Sequence, residues 1–517
     1  MIMTMRRICS DNQTDLTEKG IYFAGFSAAN IGYFMECFPQ YSANICGVYA
    51  VLDIDERTPK TAKVGEKTFD IKDLRDVSSL NSSSDVLVIM YEYENEAFEK
   101  IRDIRGDDPI SVFWFPDRAT EIELGYRERF SNSEPEDIIL FRSGPRQFVY
   151  GDDFADNSKA LFEYMVSTGY NEKWTLVWLV YDPDNSDYDE WKHHKNVIFI
   201  GIGDKDSKEE NKRYIYYRYL SLAKFAFVTD DETFFRRRRS DQIMVQLWHG
   251  DGIKARTRFR RMEKRFEYMV CTSGFFADVN CVDFGLRPDQ MIATGLPKDD
   301  WVVAGTDNSV FLKYIEGFSH YILWGPTFRK SVKGLEILNE NIEINETGLP
   351  LLNSWEDCEK LNEKLREKDC LLVIKLHPVA DLSLYEKMDY SNIRLMTNQD
   401  LYTMGLHINQ IMACFEAFIT DYSSASTSYT ILDRPMAFTL DDVDEYENSR
   451  GFVLTPVRDY LPGAELYSLN DMNKFVADIC AGVDASAPKR RLLIAKTMEY
   501  MNGGNCARLL DTLRIDK

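Results

Sequence analysis

No apolar run in the 517-residue chain approaches the roughly 18 residues that a membrane-spanning helix needs, the best being Trp174–Val180. A helical transporter or channel is therefore not expected. Met1–Thr14 carries two arginines but no apolar core, so no secretory signal is expected either. The ten cysteines are scattered, none forms a CxxC pair, and none stands near a histidine at zinc-finger spacing. That excludes a structural zinc module and a disulfide frame, and the thiols are expected to be reduced and mostly buried. Positive charge is in deficit, with 62 Lys+Arg against 84 Asp+Glu and a formal net charge of −22. Such a chain repels nucleic acid as a whole, so no nucleic-acid partner is expected. Together these absences point to a soluble, cytoplasmic protein.

What is present is ordinary globular material: 44% hydrophobic and 28% charged residues exclude disorder as the default. At about 150 residues per domain the length suggests three domains. Short β-branched or aromatic runs alternate with helical stretches, the pattern of parallel sheets with crossover helices. Three such blocks are expected. Residues 1–145 carry strands at Ile21–Ala24, Ile45–Asp53, Val86–Met90 and Ser111–Phe115. Residues 146–304 carry Thr175–Tyr181, Val197–Gly201, Phe225–Thr229, Ile243–Trp248, Tyr268–Thr272 and Met291–Thr294. Residues 305–517 carry Tyr321–Trp324, Leu371–Leu376, Ile393–Met396, Ala417–Thr420 and Met436–Thr439. Asp307–Gly317 reads as a linker, and a last helical stretch, Ala487–Leu513, is a candidate to cross back onto the second block.

The first block opens on Gly25-Phe26-Ser27-Ala28-Ala29-Asn30-Ile31-Gly32, a degenerate form of the dinucleotide-binding turn, and its second strand ends in Asp53 and Asp55. Ser27 stands where the second glycine would let a pyrophosphate approach. The block is read as a Rossmann-like domain of unassigned role, with an NAD(P)-dependent reductase as an alternative.

Ligands bind beyond the carboxyl ends of parallel strands, and four features lie there. His249 ends the strand in Gln246-Leu247-Trp248-His249-Gly250, and His377 ends the one in Lys375-Leu376-His377-Pro378. Two of only six histidines at matched positions in two blocks point to acid–base chemistry. In Phe418-Ile419-Thr420-Asp421-Tyr422-Ser423-Ser424 a strand ends in Asp421, and a serine pair opens a helix expected to reach Leu432. Hydroxyls with free backbone N–H groups suit an anion. Trp324-Gly325-Pro326-Thr327-Phe328-Arg329 presents Arg329 after a turn, a side chain suited to phosphate. Arg329, His377, Ser423 and Ser424 together suit a diphosphate. Finally, Arg236–Arg239 and the Lys254–Arg265 segment are basic clusters in an acidic chain, suited to an anionic acceptor or the anionic inner leaflet.

With these motifs in order, the chain resembles the CDP-glycerol glycerophosphotransferases, the teichoic-acid-type polyol-phosphate primases and polymerases. The resemblance rests on Gln246–Gly250 (QLWHG), Thr294–Asp300 (TGLPKDD), Ile322–Arg329 (ILWGPTFR), Ile374–Pro378 (IKLHP), Ile419–Ser424 (ITDYSS) and Arg450-Gly451-Phe452, preceded by Phe154–Lys159 (FADNSK). It covers about residues 150–460. It implies a GT-B fold: two Rossmann-like domains facing across a cleft, here with the additional N-terminal one. The 146–304 block would be the acceptor side and the 305–517 block the donor side. It implies transfer of a polyol phosphate from a CDP-polyol donor to a hydroxyl of a lipid-linked or glycan acceptor, with release of CMP, by a protein peripheral to the membrane. His249 and His377 would be catalytic, His249 as the base. Arg329, Thr327, Lys375, Ser423, Ser424, Asp421, Gly250 and Lys254 would bind substrate. No cofactor is required, and Mg²⁺ is compatible with the donor diphosphate. No oligomeric state is implied. Two departures stand out: Asp251-Gly252-Ile253-Lys254 replaces a Thr-Pro-Leu-Lys-like run, and Lys298 stands where arginine is usual. A nucleotide-sugar glycosyltransferase on the same fold is the alternative reading.

Overall fold

A computed structural model gives the fold. It describes the whole chain except residues 1–2, 4, 9–14, 26–27, 52–58, 65–66, 91–93, 107, 145–152, 230–232, 236, 256–261, 263–264, 327–344, 377–381, 386–387 and 450. The chain forms two compact units: Met1–Ser133 with Asp204–Arg218, and Glu134–Gly203 with Tyr219–Lys517.

The first unit holds strands β1 (Met5–Arg7), β2 (Gly20–Ala24), β3 (Ile45–Ala50), β4 (Thr61–Val64), β5 (Lys67–Asp73), β6 (Asp85–Ile89) and β7 (Ser111–Trp114). They lie in the order β1-β7-β6-β2-β3-β5-β4, parallel except for β4, which pairs antiparallel with β5. Alternate residues feed two layers: Phe23, Val48, Val88 and Phe113 face one, and Ala24, Tyr49, Ile89 and Trp114 the other. Two apolar faces are what a sheet covered on both sides requires. Phe26, Ser27, Asp53 and Asp55 of the expected dinucleotide turn lie outside the described residues.

The second unit contains two parallel sheets. One has β8 (Glu136–Arg142), β9 (Thr175–Val180), β10 (Val197–Gly201), β11 (Ala223–Val228), β12 (Ile243–Gln246), β13 (Tyr268–Cys271) and β14 (Met291–Ala293), ordered β10-β9-β8-β11-β12-β13-β14. The other has β15 (His320–Gly325), β16 (Cys370–Lys375), β17 (Ile393–Met396), β18 (Ala417–Thr420), β19 (Met436–Thr439) and β20 (Ala464–Leu466), ordered β17-β16-β15-β18-β19-β20. Strand order reverses between β8 and β11 in one sheet and between β15 and β18 in the other, and these switch points are where a doubly wound sheet opens a binding crevice.

The structure corrects the expected boundaries. Glu136–Arg142, assigned to the first block by the 1–145 division, is a central strand of the middle sheet, and the break falls after Ser133. Asp307–Gly317 is not a linker: Ser309–Ile315 is helical, with Phe311 and Ile315 buried. The last helical stretch is two helices, Ala487–Thr497 and Asn505–Thr512. In the second of these Cys506, Leu509 and Leu510 join the core of the middle sheet, with Ile515 just beyond. Asp300 caps that helix, accepting the N–H groups of Asn505 (2.8 Å) and Cys506 (3.0 Å).

Candidate active site

The β8–β11 switch point is built by the FADNSK motif. The helix Asp156–Ser167 starts there, and Ser158 Oγ donates to the carbonyl of Arg142 at the end of β8 (2.8 Å). The Ser158 N–H donates to Thr229 Oγ1 beyond the end of β11 (3.2 Å). Asn157 then ties in the next strand end, donating from Nδ2 to the carbonyl of Trp248 (2.8 Å) and accepting from the N–H of Lys298 (3.0 Å). Trp248 takes the left-handed conformation (φ 52°), which swings His249 off the end of β12.

His249 Nδ1 lies 2.9 Å from Asp156 Oδ2. Asp156 Oδ1 is 3.0 Å from Lys298 Nζ, and that ammonium also donates to the carbonyl of His249. Burial alone would raise the Asp156 carboxyl, but Lys298 and the hydrogen bond with His249 hold it well below the usual carboxylate range. An ionised carboxylate can only accept, so Nδ1 of His249 carries the proton and Nε2 is left as the basic nitrogen. His249 is two-fifths exposed, enough to meet a substrate.

The two sheets of this unit meet at their carboxyl ends around His249. Gly250 has φ 135°, a region a side chain resists, and a Cβ there would lie 3.3 Å from Ser424 Oγ. Gly252 is equally confined, with Ser424 Cβ 3.3 Å from the position of its missing Cβ. Past it the chain pairs with the third block: Val453 N–H donates to the Ile253 carbonyl (2.9 Å), and Ala255 N–H to the Gly451 carbonyl (3.2 Å). Lys254 bridges to Phe452, with its ammonium 5.9 Å from the ring centre of Tyr446. The departure at Asp251 has a structural answer. Its buried carboxylate accepts from the Thr272 N–H (2.6 Å) and from Asn280 Nδ2 (2.7 Å), anchoring the loop to the middle sheet.

From the third sheet, Asp421 is buried and accepts the N–H of Tyr422 (2.6 Å), the arrangement of a loop organiser. The helix after the serine pair is shorter than expected, Ala425–Thr430. Ser423 Oγ accepts from the Ala425 N–H (3.3 Å), and Ser424 remains partly exposed beside Gly250. Lys375 is buried, donating to the Leu376 carbonyl (2.8 Å) and Asn398 Oδ1 (2.6 Å). That burial pulls its ammonium down to about 7, with Asp400 opposing. His377, Arg329 and Thr327 lie outside the described residues.

The structure thus brings together His249, Gly250 and Ser424, while Lys254 lies against Phe452 and Tyr446. The basic clusters are partly consumed: Arg238 is paired twice with Glu267 (2.5 and 2.8 Å), and Arg239 Nε with Asp241 (2.9 Å). Arg236 and most of the second cluster lie outside the described residues. Sequence reasoning missed the roles of Asp156 and Lys298, whose contacts with His249 span 93 and 49 residues. It also passed over His407, whose contacts are local but whose ring centre is 5.4 Å from that of Trp301. The FADNSK and TGLPKDD motifs were the available signal. Among the described residues no group of three or more His, Cys, Asp or Glu converges as a metal site, and no helix is long and apolar enough to cross a membrane.

Comparison with known proteins identifies the family. Residues 134–514 match the family described as CDP-Glycerol:Poly(glycerophosphate) glycerophosphotransferase. A teichoic acid poly(glycerol phosphate) polymerase of Staphylococcus epidermidis is 22% identical over 65% of this chain and 44% of its own length. A teichoic acid glycerol-phosphate primase of Bacillus spizizenii is 25% identical over 47% of this chain and 63% of its own. The chain therefore spans less than two thirds of either relative. The solved wall teichoic acid polymerase TagF superposes with a TM-score of 0.55 at 16% identity, covering 77% of this chain and 92% of that one, which shows the GT-B fold. By that match and that fold, the chain belongs to the CDP-glycerol:poly(glycerophosphate) glycerophosphotransferase family.

Proposed function

We propose that the protein moves a polyol phosphate, glycerol phosphate or ribitol phosphate, from a CDP-activated donor to a hydroxyl of a lipid-linked or glycan acceptor in cell-surface polymer synthesis. The observation that carries the reading is the His249–Asp156 pair at the meeting of two sheet ends. An alcohol is a poor nucleophile at neutral pH and needs a base. His249 Nε2 takes the hydroxyl proton, and the oxygen forms a bond to the donor's β-phosphorus. The bond from that phosphorus to the CMP oxygen breaks, and CMP leaves with the electron pair. Asp156 stabilises the imidazolium formed, and Lys298 keeps Asp156 ionised.

Charge moves onto CMP as it departs, so the donor side needs cations and hydrogen-bond donors. Ser424 faces this space, Ser423 lies beside it, and Arg329, Thr327 and His377 are the remaining members of the set read from the sequence. Lys375 is held too tightly inside the sheet to be a simple surface contact. Any Mg²⁺ would ride on the donor diphosphate, and a chelator titration tests for it. A lipid-linked acceptor would bring the protein to the cytoplasmic face of the membrane, where the basic sequence clusters Arg236–Arg239 and Lys254–Arg265 would meet the anionic leaflet.

The test is CMP release from CDP-glycerol and CDP-ribitol with lipid-linked and glycan acceptors, with a UDP-sugar as the control donor. Release from a CDP-polyol, with the UDP-sugar inert, supports the reading; the reverse pattern replaces it with glycosyl transfer. His249→Ala is expected to abolish turnover while CDP-donor binding survives. Loss of binding instead would make His249 a ligand contact.

A further inference from the structure

His407 is the residue that neither the motifs nor the mechanism above uses. It precedes the short helix Ile408–Ile411, and its Nδ1 accepts the N–H of Asn409 (3.3 Å). A nitrogen that accepts has no proton, so the neutral ring carries its proton on Nε2. Among the described residues Nε2 has no hydrogen-bond partner, and the residue keeps partial exposure. Its ring packs against Trp301 from the middle-sheet side, with centres 5.4 Å apart.

The charged groups that act on the imidazole come from both sheets: Asp156, Lys298 and Lys159 from one side, and Lys375 from the other. Depth among protein atoms, with the lysines adding to it, pulls its pKa down to about 3 despite Asp156. The ring therefore stays neutral through the physiological range. Three lysines and one carboxylate, Asp156, thus act on one uncharged N–H donor. Lys298 is already committed to Asp156, and Lys159 lies 3.5 Å from Glu163. Lys375, poised near 7, would regain full charge beside a phosphate.

We propose that His407 donates its Nε2–H to a phosphate oxygen of the substrate bound between the two sheets. The assignment rests on the polyol-phosphate reading and deepens it, adding a substrate-contacting residue to that site. A neutral donor suits the position because it binds the phosphate without competing for the proton that His249 must accept. The bland alternative is that His407 only caps its helix through Nδ1.

Two isosteres separate these roles. In His407→Gln the amide N–H falls near the position of Nε2, and the cap acceptor is lost. In His407→Asn the side chain caps from the position of Nδ1 and nothing reaches Nε2. Inorganic pyrophosphate and CDP-glycerol are titrated calorimetrically into the full-length protein and its variants. His407→Asn and His407→Phe are expected to weaken binding by about ten-fold or more, with His407→Gln within about three-fold of wild type. CMP release by His407→Gln should keep the wild-type pH profile. Wild-type binding by His407→Asn, or binding by His407→Gln as weak as by His407→Phe, overturns the proposal. Should the variants fail to fold, ¹⁵N-histidine spectra of the wild type decide: an Nε2–H signal that moves on adding pyrophosphate supports it, and one that stays overturns it. A wild type that binds pyrophosphate through His407 yet releases no CMP from any CDP-polyol would refute the transferase reading and leave this contact standing.

Discussion

At the scale of single residues, the chemistry turns on which nitrogen of His249 holds its proton. Asp156 decides this because Lys298 keeps it ionised. Asp156→Asn keeps the shape but offers an amide that can donate to Nδ1, which moves the proton to Nε2 and removes the base. The expected outcome is a fall in kcat of about 10²–10⁴-fold with KM for the donor little changed, read by CMP release. An unchanged kcat would mean that His249 is not the base. His249 was legible in the sequence because it ends a strand in a chain with few histidines. Asp156 was not: it sits at a positive φ of 57° at the start of a helix 93 residues away, and no local pattern ties the two together. Lys298 was visible only as a departure from arginine, and its contact with Asp156 gives that departure a purpose.

At the scale of elements, the parallel strands were legible and the edges were not. Strands such as β16, buried along its whole length, announce themselves as continuous apolar runs. The strands missed were β1, β4, β5, β8 and β20. Four of them are short, at an edge, or alternate with charge, as Lys67–Asp73 does. β8 begins Glu-Asp and was absorbed into the neighbouring block, which hid the switch point it creates. Element packing also carries a pH-dependent weakness. The helix Asp299–Ala304 packs on the helices Ile408–Ile411 and Ala425–Thr430, with Asp299 buried between them. Its Oδ1 accepts from Ser428 Oγ (2.6 Å), while Oδ2 has no partner among the described residues. Burial pushes this carboxyl from 3.8 up to about 7. The folded state therefore binds more protons than the unfolded chain between about pH 4 and 7, and stability falls as pH rises through that window. Above pH 7 the full cost of the buried charge, on the order of a few kcal/mol, is present. Asp299→Asn keeps the hydrogen bond with Ser428 available and removes the charge. Its melting temperature should exceed that of wild type at pH 8 and converge with it near pH 4; a constant difference across the range would show that Asp299 is not the titrating group.

At the scale of the whole molecule, the chain end is part of the middle sheet's core. The helix Asn505–Thr512 follows the third sheet in sequence, yet Leu509 and Leu510 are fully buried with Ile139, Leu176 and Phe227. Two polar clasps hold it there. Asp300 receives its first N–H groups, and Asn505 Nδ2 donates to the Leu296 carbonyl (2.9 Å). The crossing joins the sheet that supplies His249 to the end of the sheet that supplies Ser424, so folding of one is coupled to completion of the other. Leu510→Ala is expected to destabilise the protein by about 2–5 kcal/mol, the usual range for emptying a packed leucine site. The loss should appear in denaturant unfolding as a lower midpoint for the signal of Trp178, which lies in the same core. Since Leu510 packs in the core and is not one of the site residues, kcat at low temperature should be unchanged while thermal inactivation speeds up. A drop in kcat without a drop in stability would instead mean that the crossing helix sets the alignment of the two strand ends, not merely their survival.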